Sequence, residues 1–389
     1  MKILYLTHRL PWPPNRGDKI RSYHLIEHLA RTHEVALLSF QEERSRLAVK
    51  KLSAICRPVQ TVSLNYFFAK IKGSLALFFN QAISIRSFSN LSFWKKYQTL
   101  LYSFNPDLVF VDSSAMAIYP YRSGTSFYAD FMDVDSEKWR QFSLFSKGAL
   151  QWIYKRESRK LALHEKKIAL KAKAVLVVSE TEKERLFHLE PKANVVVIPL
   201  GVDPKEFSPQ SASVPKANHL VFTGVLNYYP NINAVRWFCR EIWPKIRAKK
   251  PDAIFRIVGA NPTYAVWKLE AIAGVQVIAN VPHIQPYLAE AEVCVLPLRF
   301  SIGIQNKLLE ALAMGKPVVA TSGVLQGTVS SLREAVHIAD KPNDFAEQVL
   351  ALLENPSERK VLQLKGPQIV EQFYRWEKNL SALDRLLSK

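Results

Sequence analysis

The chain has 389 residues, 48% hydrophobic and 22% charged, and 53 Lys+Arg against 34 Asp+Glu give it a formal charge of +19. That balance excludes a disordered chain, and the length exceeds what one ordinary core organises, so two domains are expected. No run of about 18 apolar residues occurs, so no membrane-spanning helix is expected.

In chain order, the opening "MKILYLTHRLPWPP" has an apolar run too short for a signal peptide, and His8 and Arg9 interrupt it. The first half then offers six strands: "KILYLT", "EVALLSF", "DLVFVDS", "SFYADFM", "AVLVVSE" and "NVVVIPL". The second offers "HLVFTG", "IFRIVGA", "VQVIANV", "VCVLPL", "PVVAT" and "AVHIAD". Continuous apolar runs of this length suit parallel strands covered on both faces, and their alternation with helical patterns gives doubly wound α/β units. The pattern occurs twice, and "GVDPKEFSPQSASVPKAN" (201–218) reads as a linker between the two. Two such domains imply a cleft, with ligands at the carboxyl ends of the strands.

Charge is unevenly placed. Residues 1–200 hold 31 Lys+Arg and 17 Asp+Glu, whereas residues 201–389 hold 22 and 17. The basic half suits nucleic acid, an anionic membrane leaflet, or a plain solvated surface. Segment 60–104 is aromatic, basic and free of acids. It reads either as helices facing the core or as an amphipathic surface for lipid or a lipid-linked acceptor. Segment 152–173 reads as a basic helix with a solvated face. Cys56, Cys239 and Cys294 are few and far apart, which suits a reducing compartment and gives no metal-ligand spacing.

Several short motifs fail on context. "HLIEH" (24–28) places two histidines on one helix face, yet no third ligand is marked. Asp133–Asp135, "DVD", resembles a metal-binding D-x-D but is only three residues long. "MGKP" lacks the spacing and the Ser/Thr of a phosphate loop, and no G-x-G-x-x-G occurs.

Two stretches carry chemistry. In the first βα turn, prolines stiffen the loop, and Gly17 permits close approach just before a helix start that favours an anion. In the second domain, "VCVLPL" is followed by Arg299, "FSIGIQNK" and a helix over 307–314. Gly303 and the N–H groups that follow, those of Ile304, Gln305 and Asn306, can cradle a diphosphate, and Arg299 and Lys307 can neutralise it. Glu310 lies one turn on, on the side of Lys307, and a carboxylate there can accept hydrogen bonds from a ribose diol. The alternative is an internal Lys307–Glu310 pair on an amphipathic helix.

"GIQNKLLEALAMGKPVVAT", the "PLGVD" hinge and the proline-glycine loop resemble the retaining GT-B glycosyltransferases of family 4 over nearly the whole chain. More narrowly, "DFMDVDSEKWRQFS", "FTGVLNYYPNINAVRWFCREIWPKI" and "PLRFSIGIQNKLLEALAMGKPVV" resemble the sugar transferases of exosortase and PEP-CTERM exopolysaccharide loci. The resemblance implies an α/β GT-B architecture of two Rossmann-like domains facing a cleft. It divides into an acceptor-binding domain (1–203), a linker (204–217), a nucleotide-sugar-binding domain (218–365) and a C-terminal helix (366–389) packing back on the first domain. It also implies transfer, with retention, of a sugar from a UDP- or GDP-sugar to a lipid-linked or growing glycan acceptor. No metal or other cofactor and no nucleic acid is expected, and the location implied is cytoplasmic, at the inner face of the membrane.

Carried over by position, Glu310 matches the ribose-holding acid, Gly303 the glycine at the phosphates, and Gly17 the glycine beside the leaving diphosphate. Gly224, at the end of the first strand of the second domain, joins the donor-binding set. The family's first acid of E-x7-E falls at Ile302. "VLNYYPN" follows Gly224 without the usual Arg and Lys, so Arg299 and Lys307 are assigned the diphosphate. The family's first-domain histidine has no match, Met132 being nearest, and Asp130 and Asp133 are the polar candidates for orienting an acceptor hydroxyl. The rival readings are a nucleotide-sugar 2-epimerase on the same fold and a non-enzymatic basic binding protein.

Overall fold

The computed structural model describes residues 1–42, 45–65, 73, 75–77, 81–209 and 215–388. The middle of the expected linker, 210–214, and residues 66–72, 74 and 78–80 of the acid-free segment lie outside the described residues. The chain divides into two compact units, Met1–Ile198 and Pro199–Lys389.

The first unit holds a parallel sheet of β1 (Lys2–Thr7), β2 (Glu34–Gln41), β3 (Val59–Ser63), β4 (Leu108–Asp112), β5 (Phe127–Met132), β6 (Ala174–Val177) and β7 (Val195–Val197), in the order β3-β2-β1-β4-β5-β6-β7. Strands β1 and β4 are buried almost throughout, as the unbroken apolar runs require. Strand β3 is an addition to the sequence reading. "VQTVS" has one buried residue, Val62, because it lies at the sheet edge and needs little apolar surface.

Helix Leu91–Phe104 settles part of the acid-free segment. It is capped by Asn90, whose side chain accepts from Phe93 N, and it buries Phe93, Tyr97, Leu100 and Phe104 in the core. Burial of four such side chains, at about 1.5–3 kcal/mol each, gives that face to the sheet rather than to lipid. Leu91 and Tyr102 stay exposed on the other side.

Residues 152–171 of the basic segment lie in helix Gly148–Lys171, and its basic face is solvated as read: Lys155, Arg159, Lys166, Lys167 and Lys171 are exposed. Its two acids, Glu157 and Glu165, point inward beside Leu161 and Ile168. Glu157 accepts from Ile83 N and Ser84 N, and Glu165 from Ser136 N, so each acid closes the start of another helix. The outward stripe carries Trp152, Lys155, Arg159, Leu163, Lys166 and Leu170.

The second unit holds β8 (His219–Thr223), β9 (Ile254–Gly259), β10 (Val275–Ala279), β11 (Val293–Leu296), β12 (Val318–Ala320) and β13 (Val336–Ile338), parallel and in the order β10-β9-β8-β11-β12-β13. Every strand read from the sequence here is present. Gly201 packs against Trp376, at the start of helix Trp376–Leu387, so closely that a Cβ would lie 2.5 Å from the Trp376 amide nitrogen.

In each sheet the chain starts in the middle and reverses direction once, between β1 and β4 and between β8 and β11. Loops that leave adjacent strands toward opposite faces open a crevice at those points, and ligands of open α/β sheets sit there.

Candidate active site

In the second unit the crevice lies between the loop after β8 and the loop after β11. Gly224 (φ +155°) follows strand β8 directly, and its N–H donates to Val258 O. The approach is so close that a Cβ on Gly259 would lie 1.7 Å from Gly224 O. A Cβ on Gly224 would itself lie 2.9 Å from both Asn231 Nδ2 and Lys307 Nζ. Gly224 therefore marks where the two sides of the crevice meet.

Helix Tyr229–Trp237 forms one wall, with Pro230 in its first turn. Buried Asn231 is its hub: Nδ2 donates to Val225 O at 2.8 Å, and Oδ1 accepts from Lys307 Nζ. The Lys307 ammonium also stands 4.5 Å from the centre of the Phe222 ring. Arg299 donates through Nε to Asn233 Oδ1 at 2.9 Å and lies 5.8 Å from the Trp237 ring. Positions 231 and 233 point to different sides of a helix. The two cations assigned to the diphosphate are thus tethered to different faces of one wall, Lys307 within the crevice and Arg299 exposed.

The loop after β11 forms the other wall. Gly303 has φ +62°, a left-handed conformation that suits glycine, and Ile304 is buried behind it. Gln305 donates from Nε2 to Ile302 O at 2.9 Å, which ties the loop to itself. Helix Asn306–Ala313 then begins one residue earlier than the sequence suggests, with no side-chain cap. Both polar atoms of the Asn306 side chain and the Ser301 hydroxyl are buried without a hydrogen-bond partner. An uncapped helix start with orphaned amide and hydroxyl groups beside an ammonium leaves a place for an anion.

Glu310 stands one turn further on, half-buried, and its carboxylate has no hydrogen-bond or ion-pair partner among the described residues. Burial pushes its pKa up to about 7; Lys307 works against this and Glu206 adds to it. Burial pulls Lys307 down to about 7, against the attraction of Glu310. The internal Lys307–Glu310 pair weighed from the sequence is not formed: Lys307 bonds Asn231 instead. Lys316 of "MGKP" serves the fold, donating to Ala289 O at 2.6 Å and Ala291 O at 3.2 Å.

In the first unit the crevice lies between the loops after β1 and β4. Gly17 opens helix Gly17–Leu29, whose start has no side-chain cap. A residue outside the candidate set occupies the crevice. His8 directs Nε2 to Asp18 Oδ2 and Nδ1 to Asp112 Oδ2, each at 3.2 Å. Arg9 Nη1 donates to the same Asp18 oxygen at 2.6 Å. Burial disfavours the imidazolium, yet the carboxylates of Asp112 and Asp18 outweigh it and hold His8 at about 9. The available signal was position: His8 follows β1 directly and Asp112 ends its neighbour β4, so parallel pairing brings them together.

Asp130 and Asp133 part company. Asp130 is buried on β5 and accepts from Arg21 Nε at 2.6 Å, while Arg21 Nη1 donates to Ile198 O at 2.7 Å. That carboxylate is engaged with Arg21 in the core. Asp133 lies past a bulge at which Met132 adopts φ +60°, and its Oδ1 is buried without a partner. Burial, reinforced by Glu182, pushes it up to about 7.

Comparison with known proteins agrees with this architecture. Residues 20–206 match the family described as Glycosyltransferase Family 4, and residues 217–355 match Glycosyl transferases group 1. No protein of curated function matches the sequence. Among solved structures, a sucrose-phosphate synthase from Thermosynechococcus elongatus superposes with a TM-score of 0.75 at 17% identity, covering 100% of this chain and 98% of its own. Alr3699/HepE from Anabaena, solved in complex with UDP and glucose, gives 0.70 at 15% identity and 100% of both chains. WaaG, a glycosyltransferase involved in lipopolysaccharide biosynthesis, gives 0.67 at 14% identity and 99% of both. With a family 4 domain in its first unit, a group 1 domain in its second and a parallel sheet in each, the chain is a glycosyltransferase of the GT-B type.

Proposed function

We propose that this glycosyltransferase moves a hexose-type sugar from a UDP- or GDP-sugar to a lipid-linked or growing glycan acceptor, with retention, in exopolysaccharide assembly. The observation that carries the donor half is the unpaired Glu310 carboxylate beside the uncapped helix start with its orphaned Asn306 and Ser301 groups. In this reading Glu310 accepts from the ribose diol, while the N–H groups from Gly303 to Asn306 meet the diphosphate. Lys307 supplies the positive charge, released from Asn231 or shared with it. Arg299, on the outer face of its wall, completes the neutralisation only by turning from Asn233. A diphosphate leaving group held this way can itself accept the acceptor proton, and stabilising its charge is then the main contribution of the protein.

The acceptor belongs to the first unit in this reading, beside Gly17. The unpartnered Asp133 is better placed than Asp130 to orient its hydroxyl. The outward stripe of helix Gly148–Lys171 supports a membrane-surface location: Trp152, Leu163 and Leu170 alternate with Lys155, Arg159 and Lys166, and both acids of the helix are inside. No helix among the described residues is long and apolar enough to cross a membrane.

The test is a thermal-shift panel of nucleoside diphosphates and their sugars, followed by product NMR. A ligand at 100 times its Kd raises stability by about 2.7 kcal/mol. A shift with UDP or GDP, and transfer only with an acceptor present, is expected. No shift with any nucleoside diphosphate sinks the donor reading, and turnover of donor without acceptor moves the assignment to an epimerase.

A further inference from the structure

At the carboxyl edge of the first sheet, away from the β1–β4 crevice, a groove of about 720 Å³ opens over the ends of β2 and β3. Helix Arg46–Leu52 forms one side and the first turns of Leu91–Phe104 the other. Arg46, Lys50 and Lys96 line it, together with the hydroxyl-bearing Ser45, Ser63 and Ser92. Among the described residues no carboxylate lines it. Glu42 accepts from Arg9 Nε at 2.8 Å, and Glu43 lies outside the described residues. Neither Arg46 nor Lys50 has an ion-pair partner among the described residues, and Lys96 Nζ meets only the backbone, at Thr61 O. Three cations without counter-charges on a concave wall focus a positive potential into it.

We infer that this groove binds the phosphoryl or diphosphoryl group of the acceptor; the inference rests on the transferase reading and names the acceptor as an anionic one. Cations with adjacent hydroxyls are the donor set that phosphate oxygens require. Two inter-strand steps lead from β1 to β3 in the order β1-β2-β3, which places the groove roughly 10 Å along the sheet edge from the β1–β4 crevice. An acceptor that spans that distance would hold its phosphate in the groove and a hydroxyl of an attached sugar at the crevice. At the rim, Leu47 and Leu91 are 63% and 68% exposed, each one residue from a groove-lining side chain. Apolar residues there suit a phosphate that carries a lipid.

The experiment uses the full chain saturated with UDP, so that the second unit is blocked to anions. Binding of inorganic pyrophosphate, glucose 6-phosphate, farnesyl diphosphate and a neutral oligosaccharide is measured by calorimetry. The phosphorylated probes are expected to bind and the neutral one not. The triple variant Arg46→Ala, Lys50→Ala, Lys96→Ala is expected to lose at least tenfold in affinity for them. Its UDP shift and melting temperature should stay as in the wild type, because all three side chains reach solvent. Leu47→Ser with Leu91→Ser separates the sources. Weakened farnesyl diphosphate binding with pyrophosphate unchanged assigns a lipid phosphate, whereas equal binding of both assigns a soluble phosphorylated glycan. No binding by the wild type, or equal binding by the triple variant, overturns the groove assignment. Loss of the UDP shift in the wild type would instead strike the donor site.

Discussion

Lys307→Met separates a ligand-binding lysine from a structural one. The substitution keeps the stem over the Phe222 ring and removes the ammonium. In the folded chain burial brings Lys307 down to about 7 from an ordinary value of 10.5. At about 1.36 kcal/mol per unit, its charged form costs the free protein about 5 kcal/mol at most. Because the folded pKa is the depressed one, that cost is complete below pH 7. It fades between pH 7 and 10.5, where the unfolded chain also loses its proton. Against it stands the Asn231 Oδ1 acceptor, which the methionine leaves unpaired at about 1–3 kcal/mol. The variant is therefore expected to be more stable than the wild type at pH 6, by about 2–4 kcal/mol, and the gain should shrink as pH rises to 9. Affinity for UDP should meanwhile fall about 10- to 100-fold, the value of a charge-assisted hydrogen bond of about 1.5–3 kcal/mol. Urea melts at pH 6 and 9 and calorimetric titration with UDP read both quantities. A variant destabilised at pH 6, or one with unchanged UDP affinity, refutes the reasoning: Lys307 would then be a tie between two walls and no part of a ligand site.

Three other outcomes follow from the geometry. Glu310→Gln should lose donor affinity and turnover but gain up to about 3 kcal/mol of stability at pH 8, because the folded pKa of about 7 is the raised one; the gain should vanish as pH falls to about 4.5, as pH-dependent urea melts would show. Arg21→Met should cost about 3–5 kcal/mol by stranding the buried Asp130 carboxylate, while the UDP shift per mole of folded protein stays unchanged. Asp133→Asn should remove any limb near pH 7 from the pH profile of transfer while leaving UDP affinity as in the wild type, measured by initial rates from pH 5 to 9.

Much of this molecule is readable along the chain, and the reason is periodicity. Twelve short, largely apolar runs suit strands of covered parallel sheets, and twelve of the thirteen strands among the described residues coincide with them. The exception, β3, lies at a sheet edge where a half-polar strand suffices. The Gly303-to-Glu310 stretch was also legible, because a glycine, a helix start, a lysine and an acid follow one another within eight positions and local geometry keeps them together.

What the sequence could not contain is which distant side chains those residues meet. Asn231 and Lys307 are 76 positions apart, and only the adjacency of β8 and β11 turns an anonymous asparagine into the lysine's partner. Arg299 and Lys307 are eight residues apart and looked like one clamp, yet the turn at Gly303 sends them to different faces of a helix. Asp130 and Asp133 were interchangeable in sequence. Strand pleat and a bulge gave one to Arg21 and left the other unpaired. Helical phase put Glu157 and Glu165 inside and Trp152 outside, where composition alone showed a basic solvated helix. Local order follows from the hydrophobic period of the chain; charge pairing, and with it the assignment of each polar group to fold or to ligand, is fixed only when strand order and register bring remote positions into reach.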